Sequence, residues 1–96
     1  VWDLGVATEV GGAGTGQGNL ISGNTSGGVA SYGYGVTIRG NVIGTDAAGE
    51  VRLPNGHFGV FIGDDFAKAL PSTVGGHEPG EGNLISGNHG AGIALR

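Results

Sequence analysis

Apolar residues along this chain fall in clusters of two or three, each bounded by glycine or asparagine. No window keeps an apolar i, i+3, i+4 stripe free of glycine, and each interior glycine costs a helix about 1 kcal/mol. Short strands and tight turns are what this pattern predicts. Three kinds of cluster recur in a fixed order. One is Val29-Ala30, then Val60-Phe61-Ile62, then Ile93-Ala94-Leu95. A second centres on Val10, Ile38 and Val74, each followed by glycine within two residues. The third is Asn19-Leu20-Ile21, Asn41-Val42-Ile43 and Asn83-Leu84-Ile85. The spacings are 31 and 33, 28 and 36, and 22 and 42, and every pair spans 64 residues.

Like clusters about thirty residues apart cannot form a hairpin meander, in which sequence neighbours pair. Stacking like on like gives three parallel sheets wound into a coil, about three turns of three short strands. Ile21, Ile43 and Ile85 then form one interior column, Val10, Ile38 and Val74 a second, and Val29, Val60 and Ile93 a third. Leu20, Val42 and Leu84 point outward in a row, where a covering segment, a partner or a wide corner would bury them. The repeat is close: laying 10–30 over 74–94 gives 13 identities in 21 positions, within near-copies at 8–32 and 72–96. An asparagine ladder is expected at Asn19, Asn41 and Asn83, and a second at Asn24 and Asn88. Stacked amides can satisfy one another and the corner backbone. Insertions are expected at 13–17, 45–57 and 64–72, where a solenoid usually carries its function.

Glycine supplies 24 of 96 residues without a collagen period, and the absence of cysteine removes disulfides and thiolate metal sites. The net charge is −4 and the four basic side chains are scattered, which argues against nucleic acid as a partner. No apolar run is long enough for a membrane span. The absence of methionine points to a processed or excised segment.

The sequences Thr37-Ile38-Arg39-Gly40-Asn41 and Gly18-Asn19-Leu20-Ile21-Ser22-Gly23-Asn24, with the latter repeated at 82–88, resemble the right-handed parallel β-helix (β-solenoid) repeats of secreted and surface bacterial proteins. The resemblance implies an all-β, right-handed parallel β-helix, forming a single domain or fragment over 1–96. It also implies an extracellular or cell-surface location. The same coil carries adhesins, autotransporter passengers, phage tailspikes and polysaccharide-cleaving enzymes, so fold alone does not choose among them. The expected role is a non-enzymatic structural segment: a rod, a stalk, an adhesin or a self-assembling fibre subunit. The competing reading is a fragment of a polysaccharide hydrolase or lyase, or a sugar-binding module.

That competing reading has named residues. Gly44-Thr45-Asp46, Gly63-Asp64-Asp65 and Asn88-His89-Gly90 resemble, in order, three motifs of pectin-cleaving β-helix hydrolases. If the chain is an enzyme, Asp46, Asp64, Asp65 and His89 are therefore the candidates, since glycoside hydrolysis needs two opposed carboxylates. Trp2, Tyr32, Tyr34, Phe58, Phe61 and Phe66 are the rings able to stack on a polysaccharide partner. No cofactor is expected. Calcium would require Asp46, Glu50, Asp64 and Asp65 to meet, and His57, His77 and His89 lack ligand spacing. Finally, the chain opens on strand-like Val1, Trp2 and Leu4 and stops in a strand cluster with Ile93 and Leu95. Open sheet edges at both ends predict head-to-tail self-association through these residues.

Overall fold

A computed structural model describes residues 1–63 and 71–96. The short apolar clusters become ten strands: β1 (Trp2–Asp3), β2 (Glu9–Gly11), β3 (Leu20–Ile21), β4 (Gly27–Ser31), β5 (Thr37–Arg39), β6 (Val42–Ile43), β7 (Phe58–Ile62), β8 (Thr73–Val74), β9 (Leu84–Ile85) and β10 (Ala91–Leu95). They form three sheets, ordered β1-β4-β7-β10, β2-β5-β8 and β3-β6-β9. Every pairing between these strands is parallel. The architecture is all-β and fits a parallel β-helix of three turns.

Registers follow the expected columns. Val10 faces Ile38 and Ile38 faces Val74; Ile21 faces Ile43 and Ile43 faces Ile85; Val29 faces Val60 and Val60 faces Ile93. The first two members of each column are buried with Val36 in one core cluster. Leu20 and Leu84 are 54% and 42% exposed, so the outward aliphatic column stays partly open. Branched side chains fill this narrow interior because they pack well across a pleated surface.

One expectation needs correction. The insertion at 45–57 is shorter than its span in sequence. An antiparallel bridge between Thr45 and Arg52 closes a hairpin, and Leu53 rejoins the coil by donating its N–H to Gly44 O. Asn55 is fully buried as part of the turn. The strand-like opening at Val1, Trp2 and Leu4 forms β1, at one edge of its sheet. A constant offset of 28 residues lays Trp2 beside Ala30, Val6 beside Tyr34 and Glu9 beside Thr37, so residues 2–11 form one continuous rung. Lastly, the two ends differ. Val10, Ile21 and Val29 are 6%, 7% and 0% exposed in the first turn, whereas Ile93 at the other end is 46% exposed.

Candidate functional site

Polar side chains converge at the corners that flank the third sheet. Asn19 donates its backbone N–H and Nδ2 to Asn41 Oδ1 at 3.0 and 3.1 Å, and Asn41 donates in the same way to Asn83 Oδ1 at 2.9 and 3.1 Å. Asn41 Nδ2 also reaches Val10 O, and Asn83 Nδ2 reaches Ile38 O, both at 2.9 Å. Asn41 therefore ties its own turn to both neighbours. The expected ladder of Asn24 and Asn88 is corrected in one respect: the two do not stack directly, because Asn55 stands between them. Asn24 donates its N–H and Nδ2 to Asn55 Oδ1, and Asn55 donates the same pair to Asn88 Oδ1. The signal was available, since Asn55 lies 31 residues after Asn24 and 33 before Asn88, the spacing of the valine column.

The candidate catalytic acids are placed differently. Asp46 opens the hairpin, where its Oδ1 accepts the backbone N–H groups of Glu50 at 2.9 Å and Val51 at 3.2 Å. Those two donors hold its carboxyl below the usual carboxylate range, because each stabilises the ionised form. Gly44, at the start of the same motif, sits at φ +103, and a Cβ there would strike the backbone of Ser86 in the next turn. His89 follows the Asn88 corner, and its Nδ1 lies 3.3 Å from Arg52 Nη2 at the far end of the hairpin. Arginine only donates, so this imidazole nitrogen is the acceptor. The hairpin thus brings Arg52 to His89, and no hydrogen bond joins Asp46 to His89. Asp64 and Asp65, which complete both the acid candidates and the calcium set, lie outside the described residues. Among the described residues no three histidine or acidic side chains gather as a metal site.

A second polar cluster spans all three turns on the outside of the second sheet. Arg39 pairs with Glu81 at 2.7 Å and with Glu9 at 3.2 Å. Both contacts raise the guanidinium pKa, the hydrogen bond to Glu81 foremost. Glu81 is lowered first by the backbone N–H of Glu78 and then by Arg39. Its near-copy Gln17 makes the equivalent bond to Gly14 N–H at 2.8 Å, matching Glu81 to Glu78.

The outer face of the four-stranded sheet carries aromatic rings. Trp2 and Tyr32 lie 5.1 Å apart, Tyr32 and Phe61 5.4 Å, and Phe58 and Phe61 5.6 Å. A groove of about 330 Å³ opens between Trp2 and Phe58. At the two edges of this sheet stand the expected self-association residues, with Val1, Trp2 and Leu4 at or beside β1 and Ile93 and Leu95 on β10. No helix is long and apolar enough to cross a membrane among the described residues. Comparison with protein-family models, with curated proteins and with solved structures finds no match to the chain.

Proposed function

We propose that this chain is a length of rod: a non-enzymatic β-solenoid segment that spaces, adheres or assembles outside the cell or at its surface. The observation that supports this reading is the use made of polar side chains. The two asparagine ladders, the Glu9–Arg39–Glu81 cluster and Asp46 all hold turns or loops in place. Groups so engaged stiffen a coil and are poorly disposed to move protons.

End-to-end association belongs to the same reading, under one geometric condition. β1 and β10 are opposite edges of one sheet. A coil that runs on past β10 needs strands of the second and third sheets next. A second copy that docked β1 on β10 would leave its β2 and β3 one row away from β8 and β9. If its β1 peels off, its β2, β3 and β4 can continue β8, β9 and β10 in register. The faces are chemically suited: Asn83 and Asn88 offer backbone N–H groups that no described residue accepts, and Asn19 and Asn24 carry the amide oxygens that the next turn would present.

The test is to incubate the chain with a panel of polysaccharides and measure new reducing ends. None is expected. Reducing ends that vanish when Asp46, Asp64 and Asp65 are all replaced by Asn would replace this reading with the hydrolase.

A further inference from the structure

The aromatic face of the four-stranded sheet goes beyond a rod. The ring of Phe58 lies against Gly27, where any Cβ would collide with it, and the ring of Tyr32 lies against Gly63. The groove between Trp2 and Phe58 is floored by Gly27 and Ala30 and walled on one side by Thr25 and Ser26. Trp2 is 68% exposed. Thr25 and Ser26 are exposed, and their hydroxyls make no hydrogen bond to another described residue. No charged side chain lines the groove among the described residues.

We propose that this groove binds a neutral glycan. The chemistry of each wall fits one part of a pyranose. A sugar ring presents C–H groups on its faces, which suit the negative face of an aromatic ring, and hydroxyls at its rim, which suit Thr25 and Ser26. Rings with a few convergent polar groups are the usual composition of a small-molecule site. No lysine, arginine or histidine side chain lines the groove among the described residues, and the Val1 ammonium is engaged by Gly28 O at 2.7 Å, which in a chain of net charge −4 disfavours uronic acids and sulfated sugars. An extended peptide fits less well. It would need main-chain partners, and the backbone of the floor is already paired, with Ala30 N–H donating to Val1 O and Trp2 set in register beside Ala30.

Trp2 is the single tryptophan of the chain, so its fluorescence reports on the groove directly. Titration with hexasaccharides of β-1,4-glucose, β-1,4-mannose, β-1,4-xylose and α-1,4-glucose should give a saturable change for at least one of them. The galacturonic acid hexamer should give a weaker one. Calorimetry with the responding sugar should then show binding about tenfold weaker in Trp2→Ala and in Phe58→Ala, the loss expected for one stacking contact. Replacing Thr25 and Ser26 together by Ala, a change at exposed positions that leaves the rings in place, should also weaken binding. The proposal is overturned by any of three results: no response to the four neutral sugars, equal response to galacturonate, or full affinity in the folded variants. A response confined to a proline-rich peptide would also overturn it. Binding without release of reducing ends keeps this inference separate from the hydrolase question.

Discussion

The side-chain amide of Asn41 touches three turns at once. It accepts from Asn19, donates to Asn83 and reaches back to Val10 O, at 1% exposure. Truncating it leaves several buried groups unpaired, at about 1–3 kcal/mol each. Asn41→Ala should therefore lower stability by about 3 kcal/mol or more in urea unfolding followed by circular dichroism. Asn19→Ala, at the exposed end of the same ladder, should cost under about 1 kcal/mol. Equal losses would mean that the ladder is not the source of the effect. The aliphatic columns obey the same logic. Ile43 is fully buried and Ile85 only partly so, so Ile43→Ala should be the costlier change, near the 2–5 kcal/mol typical of core truncations.

Among the elements, the hairpin at 45–52 is held by a carboxylate rather than by apolar burial, because Val51 is 54% exposed. Its stability should therefore follow pH. The folded pKa of Asp46 is lowered, so its contribution is complete above the ordinary carboxylate range, about pH 4. That contribution is lost as pH falls through the lower folded value. Glu81 has the same sign. Asp46→Ala should be less stable than the parent chain at pH 7, and the difference should shrink in acid. The measurement is the urea midpoint of both chains from pH 7 downward. A difference that stays constant into acid would mean that the carboxylate is not what holds the hairpin.

For the whole molecule, the asymmetry of the two ends has a consequence for assembly. β1 occupies the row that an incoming copy would need, and its Asp3 is buried against Ser31, with Asp3 Oδ2 accepting from Ser31 Oγ at 2.8 Å. Deleting residues 1–5 should therefore increase end-to-end association in sedimentation velocity, with a larger species that grows with concentration. Association that is unchanged or weaker after the deletion would show that β1 is itself the adhesive strand.

What the sequence determined by itself is the coil: parallel sheets, three aliphatic columns and the first asparagine ladder. These were legible because stacked turns put chemically alike residues at fixed offsets, so likeness in the sequence reports neighbourhood in space. The rest depended on contacts between unlike residues. The strand-like opening at Val1, Trp2 and Leu4 was legible, but Trp2 beside Ala30 and Asp3 beside Ser31 share an offset of 28 and no chemistry, so nothing in their identities marks which strand β1 joins. Asn55 keeps the 31- and 33-residue offsets of its column, but the preceding hairpin lengthens the path from Ile43 to twelve residues where Ile21 to Asn24 takes three, so its local surroundings do not mark it. The site fared in the same way. The acids were readable as residue types, but only the folded hairpin decides that Asp46 faces its own backbone. The aromatic face was likewise decided in three dimensions, because glycine at 27 and 63 leaves room for rings from neighbouring turns to lie against the backbone.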